Sequence, residues 1–155
     1  MSTTTTMNRD IAASPEKVWD TVSDVTTFEH WHALHVGWEE LPPQTIEVGA
    51  VMVEKIKVAA LVDTITFEVK AFDPPHEITF DGKGSTGSKI HMRVGCQASG
   101  ENTTVTIDLV VSSPLLVGPI GKALQGTFKK RLGETLDGLS IMSHSPDRAM
   151  DRRPP

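Results

Sequence analysis

Apolar and polar positions alternate along residues 48–111, and the alternation divides this part of the chain into five strand-like segments. Successive side chains of a strand point to opposite faces, so each segment has one apolar and one polar face. The connections are too short for crossover helices, which predicts antiparallel neighbours. The apolar face is expected to carry Val48, Ala50, Met52, Ile56, Val58, Ile65, Phe67, Val69, Ile78, Phe80, Ile90, Met92, Val94, Val105, Ile107, Leu109 and Val111.

Shorter elements are predicted before this sheet. Residues 4–12 read as a first strand, and residues 36–41 read as a second one that Pro42 ends. Between them, Ser14-Pro15-Glu16 is typical of a helix start, with a hydroxyl cap, proline in the first turn and an acid beside it. Asp24 is placed to cap a second short helix that runs to Trp31.

After Pro114 the apolar spacing changes to steps of four and three, which predicts one long helix over residues 120–142. Four glycines lie inside it and together remove about 4 kcal/mol of intrinsic helicity relative to alanine. Packing must supply the difference, and we expect the glycines to let the helix backbone approach the sheet; the alternative is a weak helix that shifts to admit a ligand. The apolar stripe of this helix is Ile120, Leu124, Phe128, Leu132, Leu136 and Leu139.

The order of these elements predicts an α+β domain, because a sheet with one apolar face must bury it against another element. The C-terminal helix is the only predicted partner of sufficient size. A curved sheet closed by one helix tends to leave space between the two layers. The pattern therefore favours a protein that holds an apolar small molecule.

Length and charge narrow the range of functions. The chain has 155 residues, which suits one domain, and a net charge of -5 argues against a nucleic-acid-binding protein. Its basic run, Lys129-Lys130-Arg131, is more simply a solvated helix face. A single cysteine, Cys96, fits a reducing compartment, and no apolar run is long enough to span a membrane, so we expect a cytoplasmic protein.

Both ends of the chain are expected to be loose. Residues 1–3 read as a flexible N-terminus, residues 4–142 as the domain, and residues 143–155 as a disordered tail, because that stretch lacks apolar periodicity.

Several motifs in this order resemble the START-like (SRPBCC) superfamily of polyketide cyclase/dehydrase and lipid-transport proteins. They are Ser14-Pro15-Glu16-Lys17-Val18-Trp19, the aromatic pair Phe28 and Trp31, the turn Phe72-Asp73-Pro74-Pro75 and the final amphipathic helix. The resemblance covers nearly the whole chain. It implies a helix-grip (START-like, Bet v 1-like) fold: a curved antiparallel sheet of about seven strands on a long C-terminal helix, two short helices after the first strand, and an internal cavity.

A narrower likeness to an actinobacterial branch of the superfamily rests on turns and helix starts. These are Leu41-Pro42, Glu47-Val48-Gly49, Asp73-Pro74-Pro75, Gly82-Lys83-Gly84 and Gly118-Pro119-Ile120-Gly121. One mycobacterial member of that branch is described as the toxin of a type II toxin–antitoxin pair. The likeness implies, by association only, an antitoxin-like protein partner.

The residues expected to bind a ligand are those whose side chains should face the space between sheet and helix. Among them Glu54 is the one carboxyl group, and a carboxyl group enclosed by apolar side chains suits a general acid or a ligand hydrogen-bonding group. Thr135 could bond a ligand or its own helix, and Asp63 is expected to be a turn residue facing solvent. The full set is Trp38, Met52, Glu54, Ile56, Ile65, Phe67, Ile78, Phe80, Met92, Ile107, Phe128, Leu132 and Thr135.

Other candidate chemistry is weaker. His30, His32 and His35 invite a metal site, but their spacing does not place all three on one face of a helix or strand, so we expect histidines of a loop at the cavity entrance. Residues 82–87 match the dinucleotide-binding fingerprint, yet a strand rather than a helix follows, so no cofactor is predicted. Cys96 is expected to point inward as a small apolar filler.

The leading hypothesis is binding of an apolar or amphipathic metabolite, such as a lipid or a polyketide-like molecule, in the internal cavity. A cyclase or dehydratase with Glu54 as its acid–base group is the second hypothesis, and the toxin of a toxin–antitoxin pair is the third. The chain lacks tyrosine, and the predicted lining has few polar groups, which favours binding over turnover.

Overall fold

A computed structural model describes residues 2–43, 45–114 and 116–144. A 3₁₀ turn, Val25–Thr27, lies between the first two helices. In chain order the strands and helices are β1 (Ser2–Ile11), α1 (Pro15–Val22), α2 (Phe28–Trp31), β2 (His35–Trp38), β3 (Val51–Val58), β4 (Leu61–Asp73), β5 (Glu77–Gly84), β6 (Lys89–Ser99), β7 (Asn102–Ser112) and α3 (Gly118–His144).

The seven strands form one sheet in the order β1-β7-β6-β5-β4-β3-β2, and every neighbouring pair is antiparallel. Helix α3 packs against β1, α1 and α2, and touches β3. The predicted helix-grip architecture is confirmed, including the two short helices after the first strand. Among the residues that the structure describes, no helix combines the length and hydropathy needed to cross a bilayer.

The helix-start signals act as predicted. The Ser14 hydroxyl accepts a hydrogen bond from the Lys17 N–H, and Pro15 is the first residue of α1. Asp24 accepts from the Thr26 N–H at 3.1 Å and caps the 3₁₀ turn that leads into α2. Each cap satisfies a backbone donor that the helix itself leaves open.

The predicted boundaries between the domain and its two loose ends are wrong. Strand β1 begins at Ser2, and Ser2 and Thr3 pair with Ser112 and Val111, so these first residues are not a loose lead-in. Helix α3 continues to His144, which makes residues 143 and 144 helical. The rest of the predicted tail, residues 145–155, lies outside the described residues.

Three strand boundaries also differ from the prediction. Strand β3 begins at Val51, so Val48 is exposed rather than on the inner face, and Gly49 turns the chain with a φ of 91°. Strand β2 ends at Trp38 rather than residue 41. Strand β5 continues through its glycines to Gly84, because cross-strand pairing to β4 and β6 extends over them.

The apolar stripe of α3 begins later than predicted. Ile120 is 59% exposed, whereas Phe128, Leu132 and Leu136 are buried. Steps of four residues advance by about 40° more than a full turn, so a strict four-residue stripe winds around a 3.6-residue helix and leaves the core.

Gly138 is where α3 approaches another backbone. A Cβ added at Gly138 would lie 2.8 Å from Trp31 Cα, so this glycine permits close approach to α2, whereas the sheet was the predicted neighbour. Among the described residues, no atom lies within 4 Å of a Cβ added at Gly126. Only one of these two glycines is needed for packing.

We expect Gly138→Ala to lower the free energy of unfolding by about 1–3 kcal/mol, because the added methyl group meets rigid backbone. Gly126→Ala is the matched control and should raise stability by up to about 1 kcal/mol through helix propensity alone. Urea denaturation of both variants measures the difference. Equal stabilisation by both alanines would show that α2 and α3 are not in close contact.

Candidate functional site

The larger internal space lies between the sheet and the first half of α3. It is a cavity of about 100 Å³, and it reaches the surface beside Leu61 and Val62, which are 48% and 56% exposed. Its walls are mostly apolar, with a few oxygen-bearing side chains. The lining residues are Ile56, Val58, Leu61, Val62, Asp63, Thr86, Ser88, Ile90, Val111, Ser113, Leu116, Leu124 and Phe128.

Asp63 supplies the charged group of this cavity and ties down the loop between β5 and β6. Its carboxylate accepts hydrogen bonds from the hydroxyls of Ser85, Thr86 and Ser88 at 2.7–2.8 Å. Partial burial acts to raise the pKa of Asp63, but these hydroxyls and the Thr64 N–H outweigh it and lower the pKa. The prediction of a turn residue is wrong, because Asp63 lies within β4, where its half-buried carboxylate holds the loop.

A second, much smaller space lies beside Glu54. Its volume is about 10 Å³, roughly what one water molecule requires. Of the predicted ligand-binding residues that line one of the two spaces, most line this smaller one. The lining residues are Phe28, Trp38, Met52, Glu54, Phe67, Phe80 and Met92.

Ile65 lies between the two spaces. Glu54 lines the small space and Ile56 lines the large one, and two residues along a strand are about 7 Å apart. Ile65 pairs with Glu54 across β3 and β4 and is fully buried. A Cβ at Gly82 would lie 2.6 Å from Ile65 Cγ2 and 2.7 Å from two ring carbons of Phe67, so these two side chains occupy the room that this glycine leaves. The interior is therefore divided rather than one continuous cavity.

Glu54 is the centre of a buried polar cluster. It is 1% exposed, and the alternation that predicted its inward orientation is correct. His35 Nδ1 is hydrogen-bonded to Glu54 Oε2, and His32 Nε2 lies 3.7 Å from the same oxygen. Two imidazoles thus converge on one carboxylate oxygen inside an otherwise apolar environment.

An irregularity in β2 turns His35 toward this buried cluster. The pairing of β2 with β3 shifts register between His35 and Gly37, so His35 and Trp38 both turn inward although they are three residues apart. Trp38 then stacks on Phe28 with ring centroids 5.6 Å apart. The three histidines were predicted to lie in a loop at the cavity entrance. That location is wrong for His32 and His35, whose side chains are buried, whereas His30 is exposed.

Thr135 connects this cluster to the long helix. Its hydroxyl accepts a hydrogen bond from the Ala33 N–H at 3.0 Å and donates one to the Arg131 carbonyl at 2.8 Å. Ala33 lies between the two buried histidines in sequence. Thr135 thus positions the segment that carries them, and in this structure its hydroxyl bonds the protein.

Electrostatics keep His32 neutral. Burial lowers its pKa, Glu54 acts in the opposite direction, and His35 adds to the lowering, with a net shift below the usual value. Within the described part of the chain, no hydrogen-bond partner reaches its Nδ1 atom.

The remaining predicted ligand-binding residues divide between the core and the larger cavity. Ile56 and Phe128 line the cavity. The others are buried in the core and line neither space: Ile65, Ile78, Ile107, Leu132 and Thr135. Prediction missed the hydroxyls of Thr86 and Ser88, which the folded-back loop between β5 and β6 brings to the apolar face, and that of Ser113, which follows β7.

Metal and thiol chemistry find little support. Among the described residues, no group of three or more histidine, cysteine, aspartate or glutamate side chains is arranged to hold a metal ion. Cys96 is buried as predicted, and burial raises the pKa of its thiol to about 12, which leaves it unreactive at neutral pH.

Comparisons with known proteins agree with this architecture. The family model described as "Polyketide cyclase / dehydrase and lipid transport" matches residues 2–140. Toxin Rv0910 of Mycobacterium tuberculosis is 26% identical over 127 residues, which cover 82% of this chain and 88% of that protein.

Two solved structures have the same fold. The crystal structure of TTHA0849 from Thermus thermophilus has a TM-score of 0.76 at 17% identity, and the match covers 91% of this chain and 97% of that one. The Zhui aromatase/cyclase from Streptomyces sp. R1128 has a TM-score of 0.75 at 14% identity, over 97% and 98% of the two chains.

The buried cluster predicts a pH dependence of stability. His32 has a lowered pKa in the folded chain, so below its unfolded value of 6.5 the unfolded chain binds a proton that the native chain does not. Stability should therefore fall on acidification, with this one group contributing about 1 kcal/mol between pH 7.5 and 5.5.

Urea denaturation of His32→Gln should show a free energy of unfolding that falls by about 1 kcal/mol less than that of the wild type between pH 7.5 and 5.5. His30→Gln, which changes an exposed imidazole, is the control and should keep the wild-type slope. An unchanged slope in His32→Gln would mean that His32 titrates alike in both states.

Proposed function

We propose that this chain, which belongs to the polyketide cyclase/dehydrase and lipid transport family, binds an apolar or amphipathic small molecule between its sheet and its long helix. The observation that carries the proposal is the cavity of about 100 Å³ beside α3. Ligand sites are typically concave and mostly apolar, with a small number of polar groups that fix orientation. This cavity has that composition.

The energetics favour binding of an apolar ligand. Apolar surface removed from water contributes about 25 cal/mol per Å², so a ligand enclosed by Ile56, Ile90 and Phe128 gains affinity from burial alone. Dry cavities with walls of this kind take up apolar molecules such as benzene. The hydroxyls of Thr86 and Ser88 donate their protons to Asp63, so their oxygens would accept a hydrogen bond from a donor group of the ligand and orient it.

Benzene is a suitable probe because it fits such cavities without a specific head group. Binding to the folded state should raise the melting temperature, since a ligand stabilises by an amount that grows with its concentration over Kd. We expect Leu124→Trp to fill the cavity and abolish the shift. Gln125→Trp, at the exposed neighbouring position, should keep it.

A wild-type melting temperature that benzene does not change would contradict the proposal. So would an equal shift in the wild type and in Leu124→Trp, because the probe would then bind elsewhere.

An acid–base enzyme is the second candidate, and the cluster around Glu54 is the observation that favours it. A carboxylate held by one imidazole, with a second imidazole 3.7 Å away, can accept a proton and pass it on. Polyketide cyclisation and dehydration both begin with proton removal beside a carbonyl group. This candidate ranks second because the space beside Glu54 is only about 10 Å³.

Exchange of the central hydrogens of a 1,3-diketone with deuterium oxide, followed by NMR, tests the second candidate. If Glu54 is a general base, Glu54→Gln should slow the exchange by about 10²-fold or more. His30→Gln is the control and should exchange like the wild type. Wild-type exchange at the rate of buffer alone would exclude this role for the diketone.

A toxin role ranks third. It comes from the name of a relative that is 26% identical, and that relationship carries the fold more firmly than an activity.

A further inference from the structure

Resting on the proposed binding function, we propose that the ligand is a compact, uncharged amphiphile with a hydroxyl group, and that Ile65 sets the upper limit on its length. The class is narrower than lipids in general. It excludes long acyl chains, which the division of the interior blocks, and fatty-acid anions, which meet a carboxylate at the cavity.

Size is the first argument. The cavity has about 100 Å³, whereas sites for drug-sized ligands span roughly 300–1,000 Å³. A cavity of about 150 Å³ holds benzene. This cavity is smaller, so it encloses fewer than about six carbon atoms, and the rest of a longer chain would extend past Leu61 and Val62 into water without gaining burial.

The division at Ile65 is the second argument. A longer ligand would extend along β3 from Ile56 toward Glu54, where the small space begins. Ile65 fills that path with a fully buried side chain that lies against Gly82. The β5 backbone behind Gly82 leaves Ile65 little room to move aside, so the limit is steric and local.

Charge is the third argument. Asp63 is the one charged side chain among the residues that the structure shows lining the cavity. Its oxygens already accept hydrogen bonds from Ser85, Thr86 and Ser88, which leaves no free lone pair in a good direction for an incoming ammonium group. A ligand carboxylate would face repulsion from Asp63, and an ammonium group would lose hydration without a free carboxylate lone pair to replace it. A neutral hydroxyl group avoids both costs and can donate to the oxygens of Thr86 and Ser88.

Isothermal titration of the wild-type chain at pH 7.5 tests both parts with four probes: 1-hexanol, 1-decanol, hexanoate and hexylamine. We expect 1-hexanol to bind at least tenfold more tightly than hexanoate and hexylamine, and 1-decanol to bind no more tightly than 1-hexanol. Tighter binding of 1-decanol would overturn the length limit, and equal or tighter binding of hexanoate or hexylamine would overturn the preference for uncharged ligands. Neither result would affect the proposed function, which the benzene experiment tests separately.

Ile65→Ala tests the assigned residue. Removing the side chain joins the two spaces, so the ratio of 1-decanol to 1-hexanol affinity should rise at least tenfold. Ile78→Ala is the matched control, because Ile78 is equally buried but lies away from both spaces, paired with Phe72 and Val94, and it should keep the wild-type ratio. If Ile65→Ala does not fold, Ile65→Val should move the ratio in the same direction. An unchanged ratio in a folded Ile65 variant would overturn the assignment.

Discussion

The structure depends on one constraint: seven strands present more apolar surface than a single helix can cover. Toward its C-terminal end, α3 meets the constraint with Leu132, Leu136 and Leu139, all buried, and α1 and α2 add further cover there. At the other end, among the described residues of α3, only Leu124 and Phe128 face the sheet across the cavity. The cavity is therefore located where the covering layer thins, and it needs no special residue to open it.

The same constraint explains why Asp63 belongs to the site. Where apolar cover is missing, the hairpin loop after β5 folds back, and its hydroxyls need an acceptor in a partly dry place. Asp63 provides that acceptor for Ser85, Thr86 and Ser88. One carboxylate thus fixes a loop and sets the charge of the cavity that the loop borders.

The sequence allowed the sheet and its inward face to be predicted well, since alternation is a local property of each strand. It correctly placed Glu54 inside. It did not allow the histidine cluster to be predicted, because a regular strand would point His35 and Trp38 to opposite faces, and the register shift that unites them depends on β3. The inward position predicted for Val48 is wrong for a related reason. The alternation in the sequence already begins before Val51, where the pairing of β3 with β4 starts.

Glycines show the same limit of local reasoning. Both Gly82 and Gly138 have a neighbour where a side chain would be, but for Gly82 the neighbour is Ile65 and for Gly138 it is the backbone of Trp31. A glycine in the sequence predicts that another group approaches the backbone closely, but it does not indicate which group. Only the tertiary arrangement shows that one glycine divides the interior and the other attaches α2 to α3.

The polar groups at Asp63 and at Glu54 differ in how much stability each would cost if it had no functional role. Asp63 is fully hydrogen-bonded, so its presence is explained by the loop it holds. Glu54 and His32 are buried deeply, and His32 Nδ1 has no hydrogen-bond partner among the residues that the structure describes. A buried polar atom left this way costs about 1–3 kcal/mol, and an apolar residue of similar shape would avoid the cost. His32 therefore lowers stability unless a water molecule or a ligand group satisfies its Nδ1 atom. The cavity beside α3 is the place of the binding that we propose, and the cluster at Glu54 is where the second candidate function would place its chemistry.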